Sequence, residues 1–336
     1  MPNDITTPSL PHRLQVEVTA SCNLRCRMCI VRYRPALPRS ASISFGRFKR
    51  LLDELPDVTE LSLQGIGEPL LAPDLYEMIA YAAARGIDVG FNSNATLLTR
   101  RAGERLIDAG LGWMCISLDG ATAGTYEFVR DGARWETVRD NVERFVALKR
   151  ERAAERPVLS LVTVLMKRTL PEISAVVEQA AAWGIGRVFV QGLSHDFSDA
   201  PPAAYAAIAR YVDEQRVLDI DQEVVDASFA AARAVAEREG IDLRLPAVEQ
   251  RTERIEVDGV PVGCDWPWNS AYVTHTGTVM PCCMVMGTDR VALGNTDERP
   301  FVEIWSGEEF RRFRAGLVEG TPHPVCQGCS LYHGTF

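Results

Sequence analysis

The chain has 336 residues, 46% of them hydrophobic and 24% charged, and its 36 Lys and Arg against 45 Asp and Glu leave a net charge of −9. This is the balance of an ordinary globular protein able to bury a full core, and at about 150 residues per domain the length suggests two domains or one large barrel with an appendage. It excludes a disordered chain, a coiled coil and a small disulfide scaffold, and the acidic balance argues against nucleic acid as the main partner, because phosphate binding needs a basic surface. No apolar run nears the roughly 18 residues that span a bilayer, the best, 158–166, being strand-sized. The first residues carry neither a basic nor an apolar signal region, so the sequence reads as cytoplasmic with no membrane partner.

In chain order, short apolar runs at 14–18, 58–64, 87–92, 112–118, 158–166 and 186–190 read as strands. Helical patterns at 74–84, 100–109, 135–149 and 171–183 lie between most of them, and Pro73-Asp74 and Gly86 punctuate the first at its two ends. Six strand–helix repeats predict right-handed crossovers and a parallel sheet, an α/β fold whose openness periodicity alone leaves undecided. Pro201-Pro202 then opens an Ala-rich helical region to about Gly240, followed by a short strand at 241–245. Beyond Cys264 the chain is rich in turns: 272–274 and 278–280 flank His275-Thr276-Gly277 as a hairpin, and a helix is predicted at 302–317. These shifts divide the chain into residues 1–195, a bridging region 196–260, and a tail 261–336 too short to stand without a staple.

Between Thr19 and Leu52 there is no acidic residue, against Arg25, Arg27, Arg32, Arg34, Arg39, Arg47, Lys49 and Arg50. Such a stretch is either a solvated face or a docking surface for an anionic substrate or an acidic electron donor. Eight of the nine cysteines fall in two groups near the two ends. An odd count without an export signal fits metal ligands or redox groups better than disulfides. Cys22, Cys26 and Cys29 follow the first strand directly, at the carboxyl end of a parallel sheet, where α/β folds place their sites. Three soft thiolates favour an iron–sulfur cluster or zinc, and three ligands leave one coordination position for a substrate or cofactor.

On Cys22-x3-Cys26-x2-Cys29 the sequence resembles the radical S-adenosylmethionine (SAM) superfamily. Further segments match in order: Gly65-Ile66-Gly67-Glu68-Pro69 with Ile66 where the family has glycine, Asn92-Ser93-Asn94, Ser117-Leu118-Asp119-Gly120, and Arg130. The resemblance covers about residues 14–195 and implies a partial (β/α)6 TIM-like barrel. It implies that the three cysteines hold a 4Fe-4S cluster whose fourth iron is chelated by SAM. Reductive cleavage of SAM then gives a 5′-deoxyadenosyl radical that abstracts a substrate hydrogen atom. Gly67 and Glu68 would meet the SAM amino group, Asn92 and Asn94 would form a polar turn beside it, Ser117 its ribose or carboxylate, and Arg130 its carboxylate. Met28 stands where the family has an aromatic residue near adenine, a space that a thioether also fills. A flavodoxin- or ferredoxin-type reductant is implied.

Cys264, Cys282, Cys283, Cys326 and Cys329 form the second group; with Cys282 chosen it gives C-x17-C-x43-C-x2-C, a closed four-thiolate site for a cluster or zinc that also staples the tail. Thr278 to Cys283, Leu293-Gly294-Asn295 and Glu303-Ile304-Trp305 resemble the SPASM/twitch domain, implying a small C-terminal α+β domain. The chain runs only seven residues past Cys329, so the expectation is the twitch form with one auxiliary 4Fe-4S cluster, on Cys282 or Cys283 together with Cys264, Cys326 and Cys329. Cys115 reads as small core in a strand, and Cys283, if free, as a hydrogen donor. His195, Asp196 and Asp265 are the candidate acids and bases. The first strand leaves no room for an N-terminal peptide-binding domain, so the expected substrate is a carbohydrate-like or aminocyclitol-like small molecule oxidised at a carbinol. Epimerisation and peptide modification are the alternatives, and a zinc-stabilised binding protein is the reading outside enzymology.

Overall fold

A computed structural model describes residues 5–33, 41–200, 202–251 and 253–336. The predicted strands form β1 (Arg13–Val16), β2 (Glu60–Ser62), β3 (Asp88–Ser93), β4 (Trp113–Ser117), β5 (Val158–Val164) and β6 (Arg187–Gln191). They pair parallel in sequence order. Both faces of such a sheet are covered, so residues of either parity along a strand are buried: Leu159, Leu161 and Val162 of β5 all are. The helix predicted at 74–84 runs Leu75–Ala84, with no side-chain capping bond from Asp74, and two others are closed by caps that were not predicted. Thr99 accepts the Ala102 N–H ahead of Arg100–Asp108, and Gly184, at φ 72°, ends Ile173–Trp183 in the left-handed conformation that a side chain resists.

The sheet is wider than six strands. The segment predicted as an isolated strand, β7 (Asp242–Arg244), pairs parallel with β6, and the helix before it, Gln222–Glu239, packs on Ile173–Trp183. At the other edge β10 (Ser270–Val273) pairs parallel with β1, and the hairpin continues through β11 (Thr278–Met280) to β12 (Gly294–Asn295). The order is therefore β12-β11-β10-β1-β2-β3-β4-β5-β6-β7, an open, partly wound α/β barrel into which the C-terminal strands are built. A separate hairpin, β8 (Ile255–Val257) with β9 (Val260–Val262), turns at Asp258-Gly259 and was not predicted. The helix predicted over 302–317 is two, Phe301–Trp305 and Glu308–Glu319, broken at Ser306-Gly307.

The N-terminal segment is strapped to this C-terminal region: Trp268 donates its indole N–H to Ile5 O and Trp305 to Ser9 O. Arg314, fully buried, donates to the carbonyls of Pro267, Thr6 and Trp305. Among the described residues no helix is long and apolar enough to cross a membrane.

Candidate functional site

The carboxyl ends of β1 to β4 open on a cleft with about 1160 Å³ of empty space, part of it open to solvent. Cys22, Cys26 and Cys29 line it, as do all the residues expected around SAM: Met28, Gly67, Glu68, Asn92, Asn94, Ser117 and Arg130. The cysteine loop is pinned from two sides. Arg25 and Arg27 donate their backbone N–H groups to Asp131 O and Val129 O, and Asn94 Nδ2 reaches Asn23 Oδ1 at 3.0 Å. Asn94 thus holds the loop as well as facing the cleft.

Glu68 is buried at the start of the turn Pro69–Leu71, where its carboxylate accepts from Ser93 Oγ (2.7 Å), Asn94 N (2.8 Å) and Leu70 N (3.2 Å). Burial outweighs these donors and pushes its pKa up. Three of about four acceptor positions are taken, which leaves one for a cation in the cleft. Beside it, burial works against the charge of Arg130, but Asp119, with its Oδ2 2.6 Å from Nε, and the Cys26 thiol outweigh that and raise the guanidinium's pKa. Asp119 is itself fixed by the Val164 N–H.

A Cβ on Gly67 would lie 2.3 Å from Thr19 O and 2.5 Å from Ser21 O, backbone atoms of the segment leading into Cys22. We expect Gly67→Ala to displace that segment and weaken SAM binding roughly tenfold or more, with the C-terminal iron intact. Equilibrium dialysis with iron analysis checks this; unchanged SAM affinity would show that the loop accommodates the methyl group.

The thiols of each group are electrostatic neighbours. Burial raises Cys26 to about 11 and Cys29 to about 12, and Cys264 and Cys283 to about 12, with neighbouring thiols adding to the effect. Cys282 neighbours Cys283, Cys329, Cys264 and Cys326 together, whereas Cys283 also lines the cleft. Among the described residues no three His, Cys, Asp or Glu side chains close about one point as ligands of a single ion do. Three and four soft thiolates are the donor sets that iron–sulfur clusters take.

The three predicted acid–base residues are not brought to the cleft. His195 is buried against the tail, bridged to Cys329, with Nε2 2.6 Å from Val325 O and Nδ1 accepting the Phe197 N–H. Burial, with Arg290 beside it, lowers its pKa. Asp196 accepts the Ser198 N–H and its side chain is 43% exposed. Asp265 accepts from Asn269 at the start of the helix Trp266–Asn269. Cys115 stands beside Ser160 of β5, away from the cleft lining. In the basic stretch Arg32, Arg47 and Lys49 pair with Asp131, Asp297 and Asp53, so the fold neutralises part of it; Arg34 and Arg39 lie outside the described residues.

Sequence reasoning missed a second polar group at the β1–β10 junction. Glu17, buried just beyond β1, accepts from Tyr272 Oη (2.8 Å) and lies 2.5 Å from His275 Nδ1. An acidic residue inside an apolar strand run was the available signal; its partners, more than 250 residues away, were not visible.

A parallel barrel carrying three cysteines after its first strand and a built-in cysteine-rich tail defines a cluster-bearing enzyme of the SAM type. Residues 16–180 match the radical SAM superfamily and residues 264–330 an iron-sulfur cluster-binding domain, SPASM; the chain belongs to the radical SAM superfamily and carries a SPASM-type auxiliary region. Its cofactors are accordingly a SAM-binding 4Fe-4S cluster, auxiliary iron–sulfur and SAM. It is 29% identical to the AdoMet-dependent heme synthase of Methanosarcina barkeri (strain Fusaro / DSM 804), over 97% of this chain and 93% of that protein. To the PqqA peptide cyclase of Xanthomonas euvesicatoria pv. vesicatoria (strain 85-10) it is 27% identical, over 95% of this chain and 80% of that protein. The structure of Streptococcus suis SuiB bound to precursor peptide SuiA superposes with a TM-score of 0.70 at 15% identity, covering 97% of this chain and 71% of that one, a likeness of fold.

Proposed function

We propose that this enzyme binds SAM in the cleft and removes a hydrogen atom from a C–H bond of a peptide substrate. The observation that carries the reading is that one cleft is lined by Cys22, Cys26 and Cys29, by the whole expected SAM set, and by Cys283 from the tail. In it the three cysteines hold the cluster, Glu68 offers its spare acceptor position to the SAM amino group, and Arg130 meets the SAM carboxylate. Bound together, cluster and SAM supply a carbon-centred radical able to take a hydrogen atom. Cys264, Cys282, Cys326 and Cys329 hold one auxiliary 4Fe-4S cluster; Cys282 is preferred because Cys283 is the member of the pair that lines the cleft and so faces the substrate. A flavodoxin- or ferredoxin-type protein is the proposed reductant.

Peptide replaces the expected carbohydrate because a relative aligned over 95% of the chain is named for a peptide, while neither relative described above is named for a sugar. The test supplies the reconstituted enzyme with SAM, dithionite and either deuterated peptides from cells grown in heavy water or deuterated sugars and aminocyclitols. Deuterium is expected in 5′-deoxyadenosine from the peptide pool; transfer from the carbohydrate pool alone overturns the substrate class. Cys283→Ala is expected to keep both sets of iron and to lose any solvent deuterium entering the product. A drop of about four irons per chain would instead make Cys283 the ligand.

A further inference from the structure

A smaller pocket, with about 570 Å³ of empty space partly open to solvent, lies next to the cleft and shares Ile66, Tyr272 and Met286 with it. Its other walls include the apolar Ala20 and Met280 together with Glu17, Thr274, Thr276, Thr288 and one imidazole, that of His275. Glu17 holds that imidazole: its Oε1 faces His275 Nδ1, while its Oε2 accepts from Tyr272 Oη and, at 3.3 Å, the Ile66 N–H. With Nδ1 turned to the carboxylate, Nε2 is the ring's other hydrogen-bonding position. The backbone there is fixed as well, with Arg47 Nη1 donating to His275 O at 2.9 Å. Yet Nε2 is buried and has no partner among the described residues. A buried, oriented ring nitrogen left unsatisfied carries a desolvation penalty that a ligand hydroxyl removes.

We propose that this pocket is a binding subsite for an apolar, ring-sized group ending in a hydroxyl, which hydrogen-bonds His275 Nε2 while Met280, Met286 and Ile66 enclose the ring. Glu17 acts as a positioning residue that orients the ring of His275. The thioethers suit an aromatic ring, and the shared wall places whatever is attached to it in the radical cleft. As a subsite for substrate this rests on the reading above, but binding itself requires no turnover.

The experiment is a ligand-observed ¹⁹F titration of the reconstituted enzyme with 4-fluorophenol and, as the control without a donor, fluorobenzene. The phenol is expected to bind at least tenfold more tightly than fluorobenzene. In His275→Leu the two should bind within about twofold of each other, and His275→Gln, which keeps an acceptor, should restore part of the preference. Equal affinities in the wild type overturn the proposal whether or not the variants fold. So does a phenol preference that survives in His275→Leu, or a titration in which neither probe binds because the pocket holds only water. Absence of 5′-deoxyadenosine formation from SAM would overturn the radical reading alone and leave these affinities unaffected.

Discussion

Replacing Cys22, Cys26 and Cys29 together with alanine is expected to reduce iron from about eight to about four per chain and to bring SAM cleavage to background. The C-terminal iron should survive because the two thiol groups sit on separate segments. Cys22 to Cys29 lie in a loop tied to residues 129–131, whereas the second group is carried by the β10–β11 region and the last turns of the chain. Iron and sulfide analysis with chromatography of 5′-deoxyadenosine decides it. Retained cleavage would remove the cluster from these three cysteines, and loss of all iron would mean that the two sites assemble only together.

The largest effect on stability should come from Arg314→Leu, at about 3–5 kcal/mol. The guanidinium is fully buried, stacked 4.2 Å from the Trp305 ring centre and 4.5 Å from that of Phe310. It donates at 2.8 Å to Pro267 O, 3.0 Å to Thr6 O and 2.9 Å to Trp305 O. Leucine fills part of the volume but leaves the buried carbonyls of Pro267 and Trp305, and the partly buried one of Thr6, without this donor. Lysine should recover less than half, since one ammonium lacks the planar fork and the stacking. Urea unfolding of the reconstituted protein measures this, and a loss below about 1 kcal/mol would show that water replaces the guanidinium.

Local signals carried much of this molecule in the sequence. The six strands and the helices between them were legible because each rests on residues a few positions apart, whereas Glu68, Asn94, Ser117 and Arg130 were singled out only through the family resemblance of the segments that carry them. The residues at the β1–β10 junction were legible in neither way. Glu17 meets Tyr272 across 255 residues of sequence, and nothing in the periodicity of either segment says that they pair. His195 illustrates the converse: a histidine next to an aspartate at a strand exit suggests proton transfer, but burial against Val325 and Phe197 turns both ring nitrogens to structural use. The break of the last long helix at Ser306-Gly307 was open to a stricter reading of glycine, while β7 needed knowledge of what lay beside β6.

The seating of β10 against β1 also bears on how the protein is made. The partners of β1 on its other side come from the same third of the chain, whereas β10 emerges only after some 250 residues have been synthesised. Closing so long a loop costs chain entropy before any contact rewards it, so this edge of the sheet joins late. Until it does, the loop of Cys22 to Cys29 lacks the wall that Tyr272 and Cys283 later provide. The nascent chain therefore passes through a stage in which the loop of Cys22 to Cys29 is more open than in the folded protein, and docking of the tail closes it on that side.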